Sequence, residues 1–561
     1  MSASRPTALE RRRTLVVVAA IALTIAAIVT AADDSKYDPA AEAVKTFAAM
    51  HVKPGDCPQF GLSRYRNNVT SAKNIPTAWN VESGKNIKWV ARLGTHTYAS
   101  PVIANGKVFV GTNNTAGYIK RLADNANLGA MLCFDEQSGN FLWQHTTEMP
   151  PWRGAGGWEN EAVGSTPYVE GNRLWYVTIR NEIVCLDTDG FLDNENDGAF
   201  QKEPHQDQDE ADVVWTLDMT GKLGASPHNS CSCSVTALGD TLLVCTSNGV
   251  DARHRFIPQP DAPSFMAMDK TTGEVLWTDK SPGHNILHGQ WSSPACGVVG
   301  GVEQAIFAGG DGWLYSFDIK GEGGKSKLLW KFDCNLKESK HELVKGGRNP
   351  LIATPVIYNS RIYIAVGEDP EHGDGTGQLW CIDPTKRGDV SPTQVFNRAN
   401  PTVPIAPKWR QACEPHKGDF ERPNPNSAKV WCYLGSNPNK IDETMHRTIS
   451  NAAIKDDLLF ITDTSGVIHC VDAKTGKAHW THDMFALSFS TPLIAGDNVY
   501  IADFDGDILI FRASAKKQLV NELNMQNAVA TTPVVANGVL YISTLYKLFA
   551  IADEATAKTA E

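Results

Sequence analysis

One short pattern recurs along the chain, and repetition at regular intervals constrains the fold more than any single motif does. A small residue followed by proline comes first, then a β-branched run, and then an apolar run that ends in Asp. A tryptophan follows in several copies, and three times it lies eight residues after the Asp. The sequence therefore predicts a protein built from copies of one structural unit. The copies that contain the proline begin at Ser100, Thr166, Ser293, Thr354, Thr491 and Thr532.

Each copy has the pattern of four short strands. Apolar residues alternate with polar ones, and turn pairs such as Asn105-Gly106 and Asp505-Gly506 separate the runs. Proline cannot donate a hydrogen bond to a sheet, so its place before the first strand suits an edge strand. The innermost strand of a propeller blade is such an edge, and a tryptophan on the outermost strand can pack against the next blade. We therefore predict an all-β chain folded as a β-propeller of four-stranded blades.

The number of blades follows from two copies that lack the proline, at Ser234 and Asn451. With these copies the sequence predicts eight blades, and seven blades is the alternative. The last copy runs from Thr532 to Ile551 and has no tryptophan strand of its own. Residues 86–92, which contain Trp89, have the right pattern to supply it. The ring is thus predicted to close with one strand from the start of the chain and three from its end.

The N-terminus predicts export. Arg11, Arg12 and Arg13 precede an apolar stretch over residues 15–32, and the basic side of such a stretch remains in the cytoplasm. We predict that residues 1–32 form a hydrophobic helix that serves as an export signal or a signal-anchor, residues 33–56 a polar connector, and residues 57–561 the propeller. Both a retained anchor and a cleaved signal are open. The predicted location is the bacterial periplasm, with inner-membrane anchoring or secretion as the two possibilities.

Charge and cysteine content narrow the functional class. The net charge of −11 argues against nucleic-acid binding, which needs clustered Lys and Arg. Equivalent positions on different blades lie too far apart for a disulfide, so cysteines that share a repeat column are predicted to be small buried thiols. Cys231 and Cys233 lie outside that column, and their pairing is open. The cysteines that share the column are Cys133, Cys185, Cys381 and Cys470.

These units resemble the pyrroloquinoline quinone (PQQ) repeat. The resemblance covers roughly residues 86–552 and rests on the Pro, β-branched, Asp and Trp columns. The opening residues 58–68 also resemble the segment that precedes the first blade in large bacterial members. The family includes eight-bladed quinoprotein alcohol dehydrogenases and non-enzymatic propellers, such as the lipoprotein of the machine that assembles outer-membrane β-barrels. The resemblance implies the fold, whereas the repeated residues carry no activity of their own.

The resemblance also implies what a quinone enzyme would need. In quinoprotein dehydrogenases the quinone stacks between a tryptophan and a disulfide of two adjacent cysteines, and carboxylates and amides hold a calcium ion. In this chain Cys231-Ser232-Cys233 is the nearest approach to adjacent cysteines. No motif assigns a catalytic carboxylate, and no CxxCH haem-attachment motif occurs in the sequence, so such an enzyme is expected to need a separate electron acceptor. No cofactor is therefore assigned, and PQQ with calcium is the alternative.

Residues just before each inner strand are predicted to converge at one mouth of the channel. They form a polar, partly cationic ring with one aromatic ring, which suits a planar or anionic ligand. The other interpretation is that these side chains hydrogen-bond neighbouring blades and fill the channel. Glu161 and Asn527 belong to the same ring. The candidate ligand contacts are His228, Asn229, His288, Gln290, Trp291, Arg348, Asn349 and Arg447.

Two acidic segments, residues 193–198 and 368–374, contain carboxylates of the kind that bind calcium, but solvated turns are the interpretation adopted, and no metal ligand is assigned. Insertions over residues 191–212 and 397–429 are predicted to be loops at the rim. We expect an exported propeller that serves as a binding or assembly scaffold at the cell envelope. A protein partner or a small planar or anionic ligand would bind at the channel mouth. The alternative is a PQQ- and calcium-dependent dehydrogenase of a small alcohol or sugar.

Overall fold

Each copy of the repeat forms one four-stranded antiparallel sheet. The structure is a computed structural model that describes residues 37–122, 128–150, 162–342, 347–367 and 375–553, apart from the side chain of Asp442. The described residues contain eight of these sheets, so the predicted all-β propeller fold is confirmed. Contacts divide the chain into one unit of Met1–Asp38 and another of Pro39–Glu561. The second unit thus begins upstream of residue 57, the predicted start of the propeller.

The sheets are numbered here in chain order by their first strands. Sheet 1 contains Val102–Ala104, Lys107–Asn113, Gly129–Asp135 and Phe141–Thr147. Sheet 2 contains Tyr168–Glu170, Arg173–Val177, Glu182–Asp187 and Val213–Asp218. Sheet 3 contains Thr236–Leu238, Thr241–Cys245, Phe265–Asp269 and Val275–Asp279. Sheet 4 contains Ala295–Val299, Val302–Ala308, Trp313–Asp318 and Leu328–Asp333.

The remaining four sheets follow the same plan. Sheet 5 contains Val356–Tyr358, Arg361–Ala365, Leu379–Ile382 and Lys429–Tyr433. Sheet 6 contains Ala453–Lys455, Leu458–Thr462, Val467–Asp472 and Ala478–Asp483. Sheet 7 contains Leu493–Ala495, Asn498–Ala502, Asp507–Arg512 and Leu519–Asn524. Sheet 8 contains Val534–Ala536, Val539–Ser543, Lys547–Ile551 and, from the start of the chain, Ile87–Arg92.

The closing strand lies where the sequence predicts it. Ile87–Arg92 pairs antiparallel with Lys547–Ile551, and Trp89 lies opposite Ala550. In each of the eight sheets the first strand after the small-residue column is at one edge of the four, which suits the proline that precedes six of these strands. The ring therefore joins the start of the chain to its end through a hydrogen-bonded sheet.

Tryptophans on the outer strands fasten each sheet to the next one. The indole N–H of Trp89 donates to the carbonyl oxygen of Glu136 at 2.9 Å, which links sheet 8 to sheet 1. The same kind of bond, at 2.9–3.2 Å, runs from the fourth strand of five other sheets to a neighbouring sheet. The predicted role of the tryptophan column is therefore confirmed, and each ring has a hydrogen-bond partner for its polar atom. The tryptophans of those five bonds are Trp143, Trp215, Trp277, Trp431 and Trp480.

A second ring of bonds runs around the channel through the small-residue column. In seven of the eight steps, the backbone N–H of one column residue donates to the side-chain oxygen of the next, at 2.6–3.1 Å. At the step between sheets 4 and 5, the Ser292 hydroxyl donates to Ala353 O at 2.8 Å. This pattern explains why the column needs a short side chain with an oxygen. The column residues are Ser100, Thr166, Ser234, Ser293, Thr354, Asn451, Thr491 and Thr532.

Residues 55–70, called here the channel-spanning segment, bond to every sheet in turn around the ring. Gly55 O accepts a hydrogen bond from Asn537 of sheet 8, and residues 57–68 then contact sheets 1 to 7 in order. Val69–Thr70 ends the path as a short parallel strand beside Leu493–Ala495 of sheet 7. The contact pairs on sheets 1 to 7 are Cys57–Ile103, Pro58–Val169, Gln59–Thr236, Arg64–Cys296, Tyr65–Ile357, Asn67–Ile454 and Asn68–Ile494.

The channel-spanning segment lies on one of two distinct faces. The turns between first and second strands form the turn face, where the N–H groups of Asn105 and Gly496 donate to Asp56 and Thr70, at either end of the segment. The connections that enter each first strand, together with those between second and third strands, form the loop face. There, Met484 N–H donates to Gly466 O, and Leu545 N–H donates to Ala528 O, so these two kinds of connection lie side by side.

Several elements lie outside the repeat. The helix Pro39–Phe47 buries Ala43 and Phe47 against the hydrophobic core, so part of the predicted polar connector is packed. In the second insertion, Asn400–Pro404, Thr393–Asn397 and Asp419–Pro423 form a three-stranded sheet, and the prediction of a simple loop there is wrong. Cross-strand pairing such as Val395 with Glu421 supplies the order that its sequence pattern did not reveal. Gly388–Asp389 adds a short parallel strand to sheet 4, and Met219–Leu223 forms a one-turn helix.

The first insertion has little regular structure: Gly190–Asp193 forms one 3₁₀ turn, and Ala199 and Phe200 bond to Val214 of sheet 2. Further 3₁₀ turns are Asn114–Ala116, Gly283–Asn285, Pro415–Lys417 and Ile441–Glu443. Within the described ranges, no helix has the length and apolar character that crossing a bilayer requires. The predicted hydrophobic segment over residues 15–32 lies outside those ranges.

Candidate functional site

The channel contains a cavity of about 280 Å³ between two rings of residues. The buried small-residue column forms one ring. The other ring lies two residues earlier in each copy, on the side of the loop face, and its members are partly exposed except for Trp291 and Ala530. Phe60 of the channel-spanning segment also lines the cavity, so its closed end faces the turn face. The second ring consists of Tyr98, Gly164, Ser232, Trp291, Ile352, Ile449, Phe489 and Ala530.

The cavity wall is apolar on the side of the loop face and rich in hydroxyl groups in the ring formed by the small-residue column. Three aromatic rings, those of Tyr98, Trp291 and Phe489, and two isoleucine side chains surround the entrance. The hydroxyls beneath them already accept hydrogen bonds around the ring. The cavity residues carry no charged side chain in the described part of the chain. Such a site suits a small apolar group that can also meet hydroxyls.

Two of the eight predicted ligand contacts line this cavity. Trp291 presents its ring to it, while the indole N–H donates to His228 O at 2.9 Å. Asn229 lines it as well, with a left-handed backbone at φ 53°. Asn527 is half-buried in the connection to sheet 8, and Glu161 lies outside the described residues. Contact between any of these side chains and a ligand stays a prediction.

Arg348 is held by a buried acidic partner. Its guanidinium bonds to Asp333 at 3.1 Å, and Lys337 bonds to the same carboxylate oxygen at 2.6 Å. Burial acts to raise the pKa of Asp333, but the two cations lower it below its usual value. Asp333 therefore stays ionised, and Arg348 is 2% exposed. The Asp333 carboxylate is thus shared by two cations, and Arg348 is buried within this cluster.

Buried polar atoms next to this ion pair have no hydrogen-bond partner among the described residues. These atoms are Arg348 Nη1, Gln290 Nε2 and both side-chain atoms of the Asn349 amide. The other end of the Gln290 amide accepts the N–H of Gly310 at 2.6 Å. Groups of this kind in folded proteins bind ordered water or a ligand. Arg447 is also fully buried, and Gly375 lies so close to it that an added Cβ would be 2.4 Å from Arg447 Nε.

The remaining predicted residues, His228 and His288, belong to a cluster of three histidines. His254 completes it, and one ring nitrogen of each residue lies within 4.8 Å of the other two. His254 Nε2 and His288 Nε2 are 2.9 Å apart. The Trp291 ring packs edge-on against His288, with 4.6 Å between ring centroids, which places the cluster directly beside the cavity wall. Sequence reasoning missed His254, because it lies in an irregular connection between the second and third strands of sheet 3.

The cysteines are all free thiols, and the predicted column cysteines are buried. Cys231 and Cys233 are not bridged to each other. Instead, Cys233 Sγ accepts the backbone N–H of Cys245 at 3.2 Å.

In the first acidic segment, residues 193–198, Asp197 pairs with Arg173 at 2.7 Å, and Asp193 accepts the N–H of Glu195. The second acidic segment, residues 368–374, lies outside the described residues.

Comparison with known proteins supports the same fold. Residues 408–518 match the family model described as outer membrane protein assembly factor BamB; this range covers part of sheet 5, all of sheet 6 and most of sheet 7. A search of curated proteins found no match.

Three solved structures illustrate the similarity. BamB from Moraxella catarrhalis has 12% identity over 83% of this chain and 97% of that one, with a TM-score of 0.49. The quinohemoprotein alcohol dehydrogenase from Comamonas testosteroni has 14% identity over 91% and 83%, with a TM-score of 0.45. A europium-containing methanol dehydrogenase has 10% identity over 92% and 94%, with a TM-score of 0.44.

The repeat columns, the ring of four-stranded sheets and the family match over residues 408–518 agree with one another. The described chain thus folds as a β-propeller of four-stranded sheets, and residues 408–518 match the family model described as outer membrane protein assembly factor BamB.

Proposed function

We propose that this protein is an exported propeller of the bacterial cell envelope that serves as a binding scaffold, and that its loop face is the binding surface. One observation carries the proposal. The channel-spanning segment bonds to every sheet on the turn face, and its Phe60 lines the closed end of the cavity. Among the described residues this segment covers the turn-face side, so a partner would approach the channel from the loop face, where Tyr98 and Phe489 of the cavity wall are partly exposed.

The chemistry of the loop face favours a protein partner over an anionic ligand. The cavity wall has aromatic and aliphatic groups but no charged side chain in the described part of the chain. Exposed apolar side chains surround it on the connections of the same face; Phe485 is 89% exposed and Phe256 57%. Leu487 and Tyr546 add to this surface. Aromatic anchors that fill a pocket supply most of the binding energy at protein interfaces, and the cavity would take an apolar side chain of the partner.

A quinone-dependent dehydrogenase is less consistent with this site. The planar quinone would need cations for its carboxylates, yet Arg348 is paired with Asp333 and Arg447 is fully buried. The disulfide that such enzymes stack against the quinone would have to come from Cys231 and Cys233. Both are free thiols here, and Cys233 Sγ accepts a hydrogen bond from the backbone N–H of Cys245. These contacts support the scaffold over the enzyme.

Photo-crosslinking in living cells tests the proposal. A photoreactive phenylalanine analogue replaces Phe485 on the loop face in one variant. In the control it replaces Val298, which is 60% exposed on the first strand of sheet 4, next to Gly297 and the Tyr65 ring of the channel-spanning segment. We expect a discrete cross-linked protein from position 485 in the envelope fraction and none from position 298. Equal cross-linking from both positions, or cross-linking from position 298 alone, would contradict the proposed face.

A further inference from the structure

We propose that His228, His254 and His288 form a binding site for a divalent transition metal ion of the zinc type, beside the mouth of the channel. The three histidines come from separate connections on the loop face. His228 precedes sheet 3, His254 joins its second and third strands, and His288 precedes sheet 4. Only the folded ring brings their nitrogens within 4.8 Å of one another.

The orientation of His228 fits a metal ligand. Its Nδ1 lies 3.0 Å from the carbonyl oxygen of Val250, and because a carbonyl only accepts, Nδ1 must carry the proton. That leaves the lone pair on Nε2. Val250 also donates its own N–H to His288 O at 2.8 Å. The backbone of Val250 thus bonds to two of the three histidines. A metal-binding histidine commonly donates its second ring N–H to a backbone carbonyl, which fixes the orientation of the ring.

His254 is held from the other side. The Asp251 carboxylate accepts the N–H groups of Arg255 and Phe256 at 2.6 and 2.9 Å, which fixes the loop around His254. From the insertion of sheet 5, Arg410 donates to His254 O at 2.7 Å. The neighbouring Trp409 donates to Ile286 O at 2.8 Å, next to the His288 connection. The insertion therefore clamps the two connections that carry His254 and His288.

The spacing and the donor set indicate the ion. Zinc–nitrogen bonds of about 2.0–2.1 Å in a tetrahedron place the nitrogens about 3.3 Å apart. The His254–His288 separation of 2.9 Å is already close to this value, and small side-chain rotations bring in His228. Neutral imidazoles suit zinc and copper, whereas calcium and magnesium require oxygen ligands.

Three histidines leave the fourth coordination position for water or another ligand. Two of the three are buried, at 4% and 1% exposure, and His254 is partly exposed. An ion can therefore enter from the His254 side. The Trp291 ring, which lines the channel, packs against the other side of His288. Metal binding would consequently fix the wall of the cavity on its sheet 3 and sheet 4 side.

Metal titration tests this site. Tag-free protein is stripped with EDTA and titrated with Zn²⁺ by calorimetry, and then with Co²⁺, whose visible absorption reports tetrahedral coordination. We expect one equivalent of either ion to bind. The variant His254→Asn should bind at least about tenfold more weakly, since loss of even an outer-shell partner costs 10–100-fold. Asparagine tolerates the left-handed backbone of this position, at φ 55°, so the variant should fold.

The matched control is His284→Asn, which changes an exposed histidine four residues before His288 that is not in the cluster. This control should bind both ions as the wild type does. Two results would overturn the proposal: wild-type protein that binds no stoichiometric Zn²⁺ or Co²⁺, or His254→Asn with unchanged affinity.

Discussion

Arg66 fastens the channel-spanning segment to sheets 3 and 4, and we expect its replacement by methionine to destabilise the whole propeller. Its side chain is fully buried and donates hydrogen bonds at 2.6–3.1 Å to the carbonyl oxygens of Phe60, Ser234, Val235 and Pro294. Burial lowers the pKa of Arg66 to about 10, so the guanidinium is still charged at neutral pH. All four bonds are therefore charge-assisted.

The magnitude follows from these bonds. A hydrogen bond from a charged donor contributes about 1.5–3 kcal/mol, and burying the guanidinium costs several kcal/mol, which offsets part of the gain. Methionine would fill much of the same volume but leave carbonyl groups of two sheets without a donor. We expect the free energy of unfolding to fall by about 3–5 kcal/mol, as when one partner of a buried charged group is removed. In a chain of this length, with an unfolding entropy of about 2.1 cal/mol/K per residue, that lowers Tm by about 3–5 °C.

Arg64→Met is the matched control, because Arg64 lies in the same segment, is partly exposed and has a single side-chain bond to the Tyr65 hydroxyl at 3.3 Å. Differential scanning fluorimetry of both variants and the wild type measures the effect. Arg64→Met should change Tm by only about 1 °C, since substitutions of exposed residues have small effects. An equal Tm for Arg66→Met and the wild type would refute the view that this residue pins the segment.

Three other predictions test separate parts of the structure. A methyl group on Gly139 would lie 2.5 Å from the Trp89 ring of sheet 8, whereas one on Gly106 would meet open space. Because both glycines have positive φ, Gly139→Ala should lower Tm far more than Gly106→Ala. Equal shifts in Tm would contradict the packing of Trp89 against sheet 1. Burial acts to raise the pKa of Asp463, but hydrogen bonds from two histidines lower it to about 2, below its ordinary value of 3.8. Its carboxylate therefore stabilises the fold above about pH 4, and this stabilisation is lost as the pH falls towards 2. The free energy of unfolding of Asp463→Asn should depend less on pH between 4 and 2 than that of the wild type. The same pH dependence in both proteins would contradict this role of Asp463. A reporter that is active only in the periplasm should be active when it is fused to the C-terminus. Replacing both Ala20 and Ile25 by Arg should abolish that activity, because charges in the apolar stretch disfavour insertion. Full reporter activity in that variant would refute export through this stretch.

Much of the ring could be predicted from sequence because its interactions repeat. A proline before most inner strands and a tryptophan on most outer strands recur along the chain, so each can be assigned a place before any contact is known. The closing strand was predictable for the same reason: Trp89 has the pattern of the fourth strand that the last copy lacks, and it pairs with that copy. Local periodicity was sufficient for these features.

The rest depends on contacts between residues far apart in the chain. The path of residues 55–70 around eight sheets is set by single bonds, such as the one from Asn67 to Ile454, and has no periodicity. The loop that carries His254 is held in part by Arg410, from the insertion of another sheet. The ion pair of Arg348 with Asp333 likewise joins a connection to the end of a strand. Sequence spacing placed Arg348 near the channel but could not show that it is buried and bonded to Asp333.

The central claim is that the loop face binds a partner without a quinone cofactor. Calorimetric titration of the purified protein with PQQ in the presence of Ca²⁺, paired with a dye-linked alcohol oxidation assay, tests it most directly. We predict no saturable heat and no alcohol oxidation, because the cavity wall carries no charged side chain in the described part of the chain and Arg348 bonds to Asp333. A one-to-one binding isotherm with PQQ that is weakened by Arg348→Ala would contradict the claim.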